Sequence, residues 1–181
     1  MVDSVQGKKH KGLVIINTGE GKGKSTAAFG MMLRAWGRGM RVAAVQFIKG
    51  DTSKFGEHMA FEKMGVEVIP AGRGFTWTSH NLDVDAEKAR HGWKVASEMI
   101  LSRNYDVLVL DEITYPLRYG WIEVSDVIDV LGRREPMMHV VLTGRNAPQE
   151  LVEFADLVTE MRPIKHPYAE QGITAQKGVE Y

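Results

Sequence analysis

Thr18-Gly19-Glu20-Gly21-Lys22-Gly23-Lys24-Ser25-Thr26 follows the apolar run Leu13-Val14-Ile15-Ile16, with only Asn17 between them. An apolar strand, a glycine-rich turn and a Lys-Ser pair opening a helix form the layout of a phosphate-binding P-loop. Glycines let backbone N–H groups turn inward around an anion, and the positive end of the next helix points at the same place. Lys24 would neutralise phosphate charge there, and the Ser25 hydroxyl would ligate a magnesium ion. The pattern G-x-x-x-x-G-K-[ST] asks for glycine at position 18, where this chain has Thr18. The strand before and the helix after outweigh that departure, and the stretch reads as a nucleotide site. Glu20 is its awkward member. A carboxylate inside an anion-binding loop is expected to face solvent or a metal-bound water, or to be offset by Lys22.

The rest of the composition narrows the setting. A chain of 181 residues with 44% hydrophobic content fits one globular domain with a full core. Lysine plus arginine number 23 and so do aspartate plus glutamate. The overall charge therefore recruits neither nucleic acid nor an anionic membrane. Cysteine is absent, which removes disulfides, thiolate metal sites and cysteine nucleophiles and suits a reducing cytoplasm. No apolar run approaches a membrane span, and no signal peptide is expected before the first strand. Lys8-Lys9-His10-Lys11 is too short for a targeting signal and reads as part of a solvated basic arm, residues 1–11.

Apolar runs alternate with amphipathic segments along 12–181, the pattern of a single α/β domain of the P-loop NTPase type. The expectation is a mostly parallel sheet with helices on both faces. Strands are expected at 13–17, 42–47, 66–70, 107–111, 139–143 and 157–161, short continuous runs suited to burial on both faces. A helix from 24 to about 37 is rich in alanine and methionine nearly all round. Ala86, Ala89, Trp93, Ala96 and Ile100 recur at steps of three and four, one face of a second helix. Val127, Ile128 and Leu131 mark a third, and Pro148 opens a fourth. Residues 72–83 and the tail from 162 to 181 escape the alternation.

In an open parallel sheet, ligands gather beyond the carboxyl ends of the strands. Three stretches stand there: Gln46-Phe47-Ile48-Lys49, Asp111-Glu112 and Thr143-Gly144-Arg145. Beside a P-loop, adjacent strand-end carboxylates support magnesium directly or through water. Alone, they could equally cap a turn. Asp111 and Glu112 diverge from each other along the chain and are not expected to share one role. Arg145 could clamp a phosphate tail with its planar fork of donors or serve as a surface ion-pair partner, and Lys49 has the same two readings. The six histidines are dispersed and form no i, i+4 pair, so a histidine metal site has little support. Gly72 to Asn81 holds Phe75 and Trp77 in a polar loop. Such a loop could fold over its own aromatics, meet a second copy, or wall a large flat ligand.

Taken together, these stretches resemble the P-loop class of ATP:corrinoid adenosyltransferases. The carriers are residues 18–30, Val-Gln-Phe-Ile-Lys-Gly at 45–50, Gly-Phe-Thr-Trp at 74–77, Leu-Asp-Glu-Ile-Thr-Tyr at 110–115, Leu-Thr-Gly-Arg at 142–145 and Arg-Pro-Ile-Lys-His at 162–166. Each is weak alone, and their joint order and spacing are specific over nearly the whole of 12–181. Glu20 stands where the family often has Asn, Ile113 where Leu is usual, and the arm that in the family covers the active site is short here.

The resemblance implies a homodimer that binds ATP with magnesium or manganese, its phosphate chain reversed relative to ordinary P-loop enzymes. Cobalt(I) of the corrinoid attacks the 5′ carbon of the ribose, and triphosphate leaves. The implied ATP-binding set is Gly19, Glu20, Gly21, Lys22, Gly23, Lys24, Ser25, Thr26 and Arg145. Ser25, Glu112 and Asp111 are the metal candidates, and Phe75 with Trp77 shape the corrinoid site. Lys24, Glu112, Phe75 and Trp77 are the implied catalytic group. A flavodoxin-like or other low-potential reductant is the implied partner. Two other readings compete. An ordinary P-loop ATPase or kinase would act at the terminal phosphate, and a nucleotide-gated carrier would bind a corrinoid without forming a cobalt–carbon bond.

Overall fold

The computed structural model describes residues 10–50, 55–72 and 82–180. Its strands are β1 (Val14–Thr18), β2 (Val42–Gly50), β3 (Glu67–Gly72), β4 (Val107–Asp111), β5 (His139–Thr143) and β6 (Leu157–Glu160). They form one sheet in the order β3-β2-β4-β5-β1-β6, and every pairing is parallel. The helices are α1 (Lys24–Trp36), α2 (Gly56–Lys63), α3 (Leu82–Leu101), α4 (Thr114–Arg118), α5 (Val124–Gly132), α6 (Gln149–Phe154) and α7 (Pro167–Gln171).

The period-two alternation of strand side chains divides the core in two. Val14, Ile16, Ala43, Val45, Leu108, Leu110, Val140 and Leu142 face one way, where they meet α3, α5 and Leu151 of α6. Ile15, Val42, Ala44, Val107, Val109 and Val141 face the other, where Ala28, Phe29 and Met32 of α1 and Phe61 of α2 cover them. Helices therefore lie on both faces. Ile16, Leu108, Leu110 and Leu142 are wholly buried, and each such side chain contributes about 1.5–3 kcal/mol by leaving water. The strand ends above them stand on a packed floor.

Burial on both faces fails at β6. All four of its residues are exposed, and Leu157 keeps 47% of its surface in solvent. The strand closes one edge of the sheet and pairs only with β1. Three helices go beyond the expected set. In α2 only Phe61 is buried, so the segment offers no apolar stripe to read. α4 is short and carries Pro116 within its first turn, and α7 buries no residue at all.

The strand order decides what can meet. β5 lies between β1 and β4, with Ile16 beside Leu142 and Leu142 beside Leu110. The carboxyl ends that follow carry the phosphate loop, Thr143 and Asp111-Glu112 in a row.

Candidate active site

Thr18 explains the imperfect loop pattern. It is the last residue of β1 and pairs with Glu160, and its hydroxyl accepts the Ala147 N–H at 3.2 Å. The turn starts at Gly19, whose φ of 94° is left-handed. The loop then lies against the end of β6. The Gly21 N–H donates to the Met161 carbonyl at 2.7 Å, and the Met161 N–H returns to Thr18 at 2.8 Å. Gly23 caps α1 at φ 104° with no side-chain cap. The first amides of α1 are thereby left for a ligand, as an anion site at a helix start requires.

Lys24 is buried. Its ammonium donates to the carbonyls of Gly19 at 2.9 Å and Gly21 at 2.6 Å. Burial pulls its pKa below the ordinary lysine value. Glu112 opposes that shift, Arg145 adds to it, Glu20 opposes it, and Lys22 adds to it. An ammonium held by two carbonyls and ringed by both signs of charge can trade those partners for the oxygens of an anion.

The two carboxylates at the end of β4 have separate fates. Asp111 is fully buried. One of its oxygens accepts Gln46 Nε2 at 2.9 Å and the other accepts the Thr143 hydroxyl at 2.8 Å. It stands outside the cavity described below, so the expectation that Asp111 holds a metal directly does not fit its geometry. Glu112 turns the opposite way. Its φ of 60° is left-handed, a conformation that costs a non-glycine residue about 1–3 kcal/mol. Its N–H donates to the Thr143 hydroxyl at 2.9 Å, and its side chain lines the cavity.

That cavity, about 880 Å³, lies over the phosphate loop. Residues 20–26 form its floor, with Glu112, Tyr115 and Arg145 on one side. Phe29, Phe55, Gly56 and Glu57 add an aromatic and acidic wall, and Pro167, Gly178, Val179 and Glu180 come from the tail. Burial, then the Glu112 charge, raises the Tyr115 pKa, which keeps its phenol a donor. Glu20 is exposed and pairs with Arg145 at 2.9 Å and with Asn146 Nδ2 at 3.3 Å. Its counter-charge is thus Arg145 and not Lys22. Lys22 pairs with Glu180 of the tail.

Of the expected site residues, Glu20 to Thr26, Glu112 and Arg145 come together, while Gly19 contributes through its carbonyl to Lys24. Phe75 and Trp77 lie outside the described residues, as does the Lys49 side chain. Sequence reasoning missed Phe29, Phe55, Tyr115 and the tail. Tyr115 could have been found, since it stands only three residues beyond Glu112, in the first turn of α4. The tail bears no periodic signal that would place it over the loop.

Among the oxygen-bearing side chains that line the cavity, Glu112 and Ser25 suit a hard cation that takes its other ligands from phosphate and water. No group of three His, Cys, Asp or Glu gathers among the described residues, so any such ion would depend on the nucleotide for most of its shell.

Residues 10–181 match the family described as ATP:corrinoid adenosyltransferase BtuR/CobO/CobP. A corrinoid adenosyltransferase of Sinorhizobium sp is 49% identical over 175 residues, covering 94% of this chain and 81% of that protein. One from Pseudomonas aeruginosa is 43% identical, with 97% and 87% covered. One from Escherichia coli strain K12 is 40% identical, with 97% and 89% covered. Among solved structures, the flagellar accessory protein FlaH of Methanocaldococcus jannaschii superposes with a TM-score of 0.57 at 14% identity, over 86% of this chain and 73% of its own. That likeness concerns the fold alone.

Proposed function

The chain belongs to the ATP:corrinoid adenosyltransferase family, and we propose from this that it transfers the 5′-deoxyadenosyl group of ATP to the cobalt of a cob(I) corrinoid. The cobalt(I) electron pair forms the bond to the 5′ carbon. The bond from that carbon to the phosphate oxygen breaks, and triphosphate carries the electron pair away. Cobalt(I) is itself a strong nucleophile, so no protein base is needed.

The work left to this chain is positioning, neutralising the leaving group and excluding water. The observation that carries the reading is the meeting of the phosphate loop, Lys24 and Glu112 around one cavity. Lys24, Lys22 and Arg145 would offset the charge that grows on triphosphate, and the α1 amides with Ser25 and Thr26 would fix its orientation. Ser25 and Glu112 would hold magnesium or manganese, which supplies further neutralisation of the phosphates. Asp111 supports the strand end from behind. Neither the ATPase nor the carrier reading is favoured by the family.

Phe75 and Trp77 would press on the lower face of the corrinoid and exclude an axial ligand, easing reduction of cobalt(II). Replacing either with alanine is then expected to fail mainly with cob(II)alamin and a biological reductant, and to spare turnover of chemically prepared cob(I)alamin. Equal loss in both assays would refute that role. The finer reading is one catalytic domain over 12–181, working in the cytoplasm as a homodimer served by a flavodoxin-like or other low-potential reductant. The decisive experiment supplies ATP, magnesium and chemically reduced cobalamin. Loss of the cob(I)alamin absorption into a light-sensitive product, with triphosphate released, is the expected result. Orthophosphate release without that product would point to an ATPase, and tight binding without chemistry to a carrier.

A further inference from the structure

Across the carboxyl ends of β2, β4 and β5 runs a chain of buried polar groups. The His58 ring nitrogen donates to Gln46 Oε1. Gln46 Nε2 donates to one Asp111 oxygen at 2.9 Å, and the Thr143 hydroxyl donates to the other at 2.8 Å. The same Thr143 oxygen accepts the Glu112 N–H at 2.9 Å. Gln46, Asp111 and Thr143 are each fully buried. The pairing of β4 with β5 runs as far as Leu110 beside Leu142. Beyond it Glu112 leaves the strand at φ 60°, and the Thr143 hydroxyl takes the place of a ladder acceptor for its amide.

We propose that Gln46, Asp111 and Thr143 form a strut of positioning residues that holds the Glu112 backbone in its left-handed conformation and so aims its carboxylate at the nucleotide. This rests on the proposal that Glu112 faces the metal of bound ATP. The chemistry is directional. A hydroxyl has one proton to give, and Asp111 takes it, which obliges the Thr143 oxygen to present lone pairs to Glu112. Asp111 is held in turn by Gln46, whose amide oxygen is engaged by His58 at the start of α2. That helix begins beside the Phe55–Glu57 side of the cavity. One buried carboxylate is thereby tied to both sides of the site. A network that merely stitched strands together would have no need to spend the Thr143 acceptor on a residue with a left-handed backbone at the cavity edge.

The test reads the Glu112 amide and turnover separately, in the full chain. In the unaltered protein without ligand, exchange of the Glu112 amide proton by NMR is expected to be slow, although the residue sits at the cavity edge. Thr143→Val should speed it by at least about tenfold, the loss of one buried hydrogen bond, and Thr143→Ser should restore it. In turnover, Thr143→Val should lower the rate by about tenfold and raise the magnesium concentration needed for half-maximal activity. Added to Glu112→Gln, the same substitution should change the rate by less than about twofold, because the two act through one group. Fast exchange in the unaltered protein overturns the proposal even if Thr143→Val does not fold. Unchanged exchange in a folded Thr143→Val overturns it too, as do independent effects in the double variant. Normal activity in Glu112→Gln would remove the metal role while the exchange experiment still decides the strut.

Discussion

The two sides of the cavity are built on different principles. The phosphate loop is an extension of the core. It issues from a strand with Val14, Ile15 and Ile16 all buried, and backbone hydrogen bonds to Met161 fix its course. The tail opposite has no such anchorage. α7 buries none of its residues, Val179 is 78% exposed, and the last turn is closed by the N–H groups of Val179 and Glu180 on the Gln176 carbonyl. Among the described residues, the ion pair between Glu180 and Lys22 joins its far end to the loop. Segments with few buried contacts open at low free-energy cost, whereas loops continuous with a core open only with it. The loop side is thus set before any ligand arrives, and the tail side moves at low free-energy cost.

If the fixed side carries the chemistry, its variants should dominate. Lys24→Ala is expected to lower turnover by about 10²–10³-fold, the effect of removing one preorganised donor, with a smaller change in ATP affinity. A near-normal rate would break the comparison at its strongest point. Glu112→Gln should come next, reducing apparent metal affinity by about 10–100-fold. A metal titration that does not move would leave Glu112 with no metal role. Gly23→Ala tests the backbone itself. At φ 104° an added Cβ is strained, and it would also meet the Met161 sulfur at 3.2 Å. The expected cost is about 1–2 kcal/mol, a fall in Tm of about 2–8 °C for a chain of this size. An unchanged melting curve would show that the loop accommodates the methyl.

The same contrast explains what the sequence could tell. The central strands were legible because their side chains alternate between two buried faces, as with Val107 and Val109 against Leu108 and Leu110. The phosphate loop was legible because φ-positive turns demand glycine at 19 and 23. Asp111 and Glu112 were legible as a pair but not as individuals. Their division of labour depends on Gln46 and Thr143, which come from strands 65 and 32 residues away. α2 and α7 were illegible because neither buries a stripe, and Pro116 masks α4. The edge position of β6, and hence its exposure, follows from sheet order, and periodicity within a single strand carries no information about that order.

The smallest effects should fall on the outer ion pairs, and their sign matters more than their size. Glu180 occupies Lys22, and Glu20 occupies Arg145, two cations that triphosphate would otherwise engage. Both pairs are partly open to solvent: the Lys22 side chain is 50% exposed, and Arg145 and Glu20 are 46% and 51% exposed. Such pairs contribute little, so releasing the cation should tighten ATP binding by no more than about fivefold. Glu20→Asn is expected to do this at the Arg145 side without loss of rate. Glu180→Gln should do it at the Lys22 side, and the difference from the unaltered protein should shrink as salt is raised, because exposed charges are screened. Calorimetric titration with ATP at low and high salt measures both. A loss of affinity of about tenfold in Glu180→Gln, beyond what a surface pair supports, would mean that the tail binds the nucleotide directly. The two sides of the cavity would then share the ligand, and the contrast between a fixed holder and a loosely pinned cover would fail.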